Sequence, residues 1–307
     1  MRWQDVDWRQ HQRWTRIDGR AVNYVELGSG PPMLFVHGLS GTWTNWLENL
    51  LEFASDHRVI AVDLPGFGAS EMPRDKISIS GYGVFLDRFC EQLEVEAATF
   101  VGNSMGGFVS AETAIKFPHR VERLVLVSAA GISTQRARNE PLLKLLYMGE
   151  SVAQWVTARA VGRSAEMVGR ARGRRAILWF VTPHAERLAP ELVLELTRGA
   201  GKPGFLPALD ALTDYPIRER LDDVKCPTLV VWGEKDLLVP VKDAHTFDEL
   251  IPESRLIVYP DVGHLAMLEV PERFNADLRA FVVEQPDSED RRARLAERRG
   301  GERSATR

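Results

Sequence analysis

Ser104 stands between two glycines in the run Val101-Gly102-Asn103-Ser104-Met105-Gly106-Gly107. An apolar, β-branched stretch, Ala97 to Val101, leads into it, and helical spacing leads out from Met105 to Phe117. A serine in such a strand-to-helix turn holds its Oγ clear of the backbone. Side chains at 102 and 106 would collide with the neighbouring strand and helix. The helix that follows brings its unpaired N–H groups beside the hydroxyl. A hydroxyl alone is a weak nucleophile. It needs a general base, and the base needs a carboxylate to orient it. Two later residues answer to those roles: Asp236 follows an apolar run ending at Trp232, and His264 follows another ending at Tyr259. The chemistry this predicts is transfer of an acyl group to Ser104 and then to water. Its tetrahedral intermediate needs hydrogen-bond donors for an oxyanion. Met105, directly after the serine, is expected to supply one backbone N–H, and Leu39, in the loop after Met33–Val36, the other.

Competing residues fit less well. Asp261 is three positions from His264, too near to reach Nδ1 without strain. Asp63 lies in the loop Asp63-Leu64-Pro65-Gly66-Phe67-Gly68-Ala69-Ser70, where bracing the loop through backbone hydrogen bonds is the simpler role. His37 reads as a loop-packing histidine. The two cysteines and seven histidines show no metal-ligand spacing, so neither metal nor cofactor is expected.

The elements that must position these groups are legible in order. Trp14 to Leu27 reads as a hairpin around Asp18-Gly19. Met33–Val36 and Arg58–Val62 are short continuous apolar runs, as expected of strands buried on both faces. Helical spacing covers Trp43–Phe53 and about Ser80–Leu93. After the Ser104 helix comes a strand, Val121–Val127. From about Ile132 to Asp214 the pattern is helical with no strand-like run; Arg170, Arg172, Arg174 and Arg175 there read as a solvated helix face. Strands resume at Thr228–Trp232 and Arg255–Tyr259, with helices near Lys242–Leu250 and Pro271–Val283. Alternation of strand and helix implies a mostly parallel sheet covered on both faces. Beyond Pro286 almost nothing apolar remains, and residues 286–307 are expected to be a disordered tail.

The 307 residues suit one large α/β domain with an insertion. Net charge of −4 and a pI near 6.0 argue against nucleic acid as a partner. The polar, tryptophan-rich N-terminus has no apolar h-region, and no run approaches the ~20 apolar residues of a membrane span. A cytoplasmic monomer or homodimer is expected.

His37-Gly38, the Asp63–Ser70 loop, the Ser104 turn, Gly233-Glu234-Lys235-Asp236 and Gly263-His264 together resemble the serine hydrolases of the α/β-hydrolase superfamily, over about Trp14 to Val283. The resemblance implies an eight-stranded, mostly parallel sheet formed by residues 1–131 and 215–285. It makes residues 132–214 a helical lid between core strands six and seven. Serine at 104 speaks against the epoxide hydrolases and haloalkane dehalogenases, which carry aspartate there. Gly102–Gly107 is similar to the C–C hydrolases that open aromatic ring-fission products. Those usually have Trp where this chain has Leu265, and a lid arginine where it has Leu196, with Arg198 two positions on. A carboxylic ester with a hydrophobic acyl or alcohol part is the better-matched substrate, with Trp155, Trp179, Phe180 and Leu265 lining the pocket. C–C hydrolysis is the alternative, and a receptor that retains the triad but turns over slowly is another.

Overall fold

The structure is a computed structural model that describes residues 1–133, 166–213 and 215–284. Eight strands form one sheet in the order β1-β2-β4-β3-β5-β6-β7-β8. They are β1 (Gln12–Ile17), β2 (Arg20–Leu27), β3 (Pro32–Val36), β4 (Arg58–Val62), β5 (Ala98–Asn103), β6 (Val121–Val127), β7 (Thr228–Gly233) and β8 (Ser254–Tyr259). From β4 to β8 every pairing is parallel; β1 and β2 join antiparallel at one edge. The β1–β2 turn closes with Asp18 at φ 51° and Gly19 at φ 74°. Two successive positive φ values are what a tight hairpin requires, and Asp-Gly adopts them at low cost.

Apolar runs bury both faces of the central strands; β5 and β7 are buried at every position. One face carries the helices α2 (Ile79–Gln92) and α3 (Met105–Lys116), whose Phe85, Phe89 and Phe108 join Phe100 and Trp232 in a single cluster. The other carries α1 (Leu47–Phe53), where Trp46, Leu50 and Phe53 pack with Phe35 and Val101. Between β6 and β7 the described residues contain no strand. They form α4 (Ala171–Leu178), α5 (Pro190–Arg198) and α6 (Phe205–Thr213). Leu178, Leu192 and Val193 of this insert pack into the second cluster, and Phe205 and Leu209 into the first. The chain then finishes with α7 (Lys242–Leu250), α8 (Ala266–Glu269) and α9 (Pro271–Val283).

The arginine run of the insert is not uniformly a solvated face. Arg174 is buried and donates to the carbonyls of Val168 and Glu186, while Arg175 is exposed and pairs with Glu186. A guanidinium with five N–H donors can serve carbonyls left without a backbone partner at a helix end, which composition alone does not reveal. Cys90 and Cys226 are free thiols, and burial pushes both up to about 12. No described helix is long and apolar enough to cross a membrane. The segment expected to be a tail, 286–307, lies outside the described residues, as do 134–165 of the insert.

Candidate active site

Ser104 sits at the junction of β5 and α3 with φ 54° and ψ −118°. That conformation is strained for any residue with a Cβ. It is held from three sides: Ser104 N donates to Val127 O at 2.9 Å, and Ser104 O accepts from Phe108 N and Ala130 N, both at 3.1 Å. The flanking glycines are there because nothing larger fits. A Cβ on Gly102 would lie 2.4 Å from Gly106 O, and one on Gly106 would lie 2.2 Å from Val36 O.

His264 and Asp236 meet from separate loops beyond β8 and β7. His264 Nδ1 lies 2.8 Å from Asp236 Oδ2, and both side chains are buried. The other oxygen, Asp236 Oδ1, accepts from Leu238 N and Val239 N, each at 2.9 Å. A carboxylate so committed leaves Nδ1 as the protonated nitrogen and Nε2 as the free lone pair. Asn103, directly before the serine, donates through Nδ2 to Val127 O at 3.1 Å and to His264 O at 3.4 Å. It thereby ties the serine turn to the histidine loop.

Met105 opens α3 and is fully buried. Its N–H belongs to the first turn, which has no acceptor within the helix. Leu39 follows Gly38, where a Cβ would stand 3.1 Å from Ser104 Cβ, so the loop bearing Leu39 packs against the serine. His37 is entirely buried. Its Nε2 accepts from Leu64 N at 3.0 Å and its Nδ1 contacts Gly38 O at 2.7 Å, which makes Nδ1 the donor. Burial holds its pKa down at about 4. It is a neutral brace of that loop. Asp63 braces the same region: Oδ1 accepts from Trp43 N at 2.8 Å and Oδ2 from Ala69 N at 2.9 Å. Burial nevertheless pushes its carboxyl up to about 6. Asp261 points elsewhere and pairs with His184 Nε2 at 2.7 Å.

Of the expected pocket residues, Leu265 is buried beside His264. Trp179 is half exposed, its ring edge-on to Phe180 at 5.7 Å. Trp155 lies outside the described residues. Arg198 is exposed and paired with Glu195, while Leu196 packs against the second apolar cluster. Two residues of the site have no counterpart in the sequence reading. One is Asn103. The other is Glu269, whose carboxylate accepts from Gly263 N, Leu265 N and Thr182 Oγ1. A lone acid in the apolar turn Ala266-Met267-Leu268-Glu269-Val270 was the available signal. Among the described residues no group of histidine, cysteine and carboxylate ligands is arranged to hold a metal ion.

Residues 31–271 match the model of the alpha/beta hydrolase fold family. An uncharacterised protein of Mycobacterium tuberculosis is 32% identical over 293 residues, covering 91% of this chain and 84% of its own. The 2-hydroxymuconate semialdehyde hydrolase of a Pseudomonas strain is 31% identical over 284 residues, with 87% and 92% covered. Among solved structures, Est816, described as an N-acyl homoserine lactone degrading enzyme, superposes with a TM-score of 0.69 at 27% identity. That match covers 88% of this chain and all of the other.

Proposed function

The chain belongs to the alpha/beta hydrolase fold family, and from that premise we propose that it is a serine hydrolase of carboxylic esters with a hydrophobic acyl or alcohol part. The observation that carries this reading is the His264–Asp236 hydrogen bond, with Asp236 anchored by two backbone N–H groups, beyond the same sheet edge as the strained Ser104. In the proposed cycle Nε2 of His264 takes the proton of Ser104 Oγ as that oxygen bonds to the ester carbonyl carbon. Asp236 stabilises the imidazolium. The N–H groups of Leu39 and Met105 hold the oxyanion. His264 then protonates the departing alkoxide, the C–O bond breaks, and an acyl-enzyme remains. Water, deprotonated by His264, repeats the sequence and releases the acid and the free serine. No cofactor takes part.

Residues 132–214 act as the lid in this reading, with Trp155, Trp179, Phe180 and Leu265 as candidate pocket walls. Its test is turnover of p-nitrophenyl esters of graded chain length by wild type, Ser104→Ala and His264→Ala. Each variant should lose several orders of magnitude in kcat, and the double variant should be little worse, because the residues act as a unit. Independent, multiplicative losses would reject the triad. Tight ester binding without turnover would favour the slow receptor.

C–C bond hydrolysis is a second reading, favoured by the relative that hydrolyses 2-hydroxymuconate semialdehyde. The Arg198–Glu195 pair weighs against it, since the cation expected to meet a substrate carboxylate is already partnered at the surface.

A further inference from the structure

We propose that Glu269 is a positioning residue for His264, and that it joins the histidine loop to the helical insert through Thr182. The inference rests on the triad reading above. Its observation is where three consecutive backbone N–H groups go. Gly263 N donates to Glu269 Oε2 at 2.9 Å, His264 N to Val181 O at 2.8 Å, and Leu265 N to Glu269 Oε1 at 3.1 Å. Oε2 also accepts from Thr182 Oγ1 at 2.6 Å. Every N–H around the histidine is therefore held by the insert, or by a carboxylate that the insert holds. Contact is close enough to exclude a side chain: a Cβ on Gly263 would lie 2.6 Å from Val181 O and 2.8 Å from Thr182 Cα.

The ring itself has one anchor, Asp236 at Nδ1. A hydrogen bond at one nitrogen permits the ring to swing about it. The Cα and the backbone must be fixed elsewhere for Nε2 to stay aimed at Ser104. Glu269 supplies that fix on both sides of residue 264; burial raises its carboxyl pKa, while its three donors and the nearby His264 ring favour its charged form. Its other side borders a cavity of about 340 Å³ that also carries Glu48, Glu272, Arg187 and the His184–Asp261 pair. Charges there act on Glu269 from farther away than its three donors do.

Glutamine at 269 keeps the size but removes the charge, and turns one acceptor into a donor facing an N–H or a hydroxyl. The experiment is the pH profile of p-nitrophenyl butyrate hydrolysis by full-length wild type, Glu269→Gln, Thr182→Val and Thr182→Ser, with active molecules counted by burst titration. Glu269→Gln should lower kcat about 10- to 30-fold with KM within about 2-fold. Losing a nearby negative charge lowers the pKa of the base, so the acid limb of kcat/KM should move to lower pH. Thr182→Val should lose kcat several-fold, while Thr182→Ser, which keeps the hydroxyl, should retain it. If Glu269→Gln does not fold, the Thr182 pair decides. Wild-type kcat and an unmoved acid limb in Glu269→Gln, or equal kcat in Thr182→Val and Thr182→Ser, would overturn the proposal. A drop in melting temperature with unchanged turnover per active molecule would overturn it as well. Full turnover by Ser104→Ala would instead reject the triad reading, whatever Glu269→Gln does.

Discussion

His37 shows how much a single side chain can bind the site to pH. It is neutral in the fold because its Nε2 accepts from Leu64 N and because burial lowers its pKa from 6.5 to about 4. The unfolded chain protonates this imidazole below pH 6.5, whereas the folded one resists until about pH 4. Stability from this group is thus complete above pH 6.5 and lost as pH falls towards 4. His37→Gln removes the group from that balance. The stability difference between wild type and His37→Gln should therefore shrink by about 2 kcal/mol between pH 7 and pH 5, measured by urea denaturation at each pH. A difference constant with pH would mean that the ring is reached by water. Asp63 works beside it with opposite sign in pH. Its raised carboxyl pKa costs stability as pH rises from about 4 to about 6: burial outweighs the two backbone donors that favour the ionised form.

At the scale of elements, the strand-to-helix turn depends on space more than on any bond. The Cβ of an alanine at 106 would overlap Val36 O on the neighbouring strand β3. One of the two must move, and both belong to packed elements. Gly106→Ala should cost about 3 kcal/mol or more. That corresponds to a melting temperature lower by roughly 6–12 °C for a chain of this size. Gly169→Ala is the control, because nothing lies within 4 Å of its Cβ position; it should change stability by less than about 0.5 kcal/mol. Equal effects in calorimetry would remove the steric account. The turn was legible in sequence because its glycines are local to the serine they serve. So were the strands, through continuous apolar runs such as Leu229–Trp232, and the order Ser104, Asp236, His264. Asn103 and the Glu269–Thr182 contact were not, because their partners are distant, although the other donors to Glu269, Gly263 and Leu265, are close in sequence. Thr182 lies 87 residues from Glu269, and the His264 carbonyl lies 161 residues from Asn103. No periodicity links such pairs; only the folded crossing of insert and sheet edge brings them together.

For the whole molecule, the partners of its arginines bear on which charge the substrate carries into the site. A carboxylate desolvated beneath apolar helices is costly unless a fixed cation meets it. Arg174, though buried, spends its guanidinium on the carbonyls of Val168 and Glu186, and Arg220 is paired with the buried Glu112. Arg198, at the end of α5, turns to Glu195 at the surface, while the neighbouring Gly199 sits against the loop that bears Leu39, its Cβ position only 2.2 Å from Ser40 O. Neutral esters need no such cation. Wild type should therefore hydrolyse p-nitrophenyl esters and leave an anionic ring-fission keto acid essentially uncleaved. Arg198→Ala should keep ester kcat/KM within about 2-fold, as expected for an exposed ion pair worth less than about 1 kcal/mol. Both substrates assayed on both proteins decide the matter. Efficient keto-acid cleavage by wild type that collapses in Arg198→Ala would make Arg198 the carboxylate anchor and turn the reading towards C–C hydrolysis.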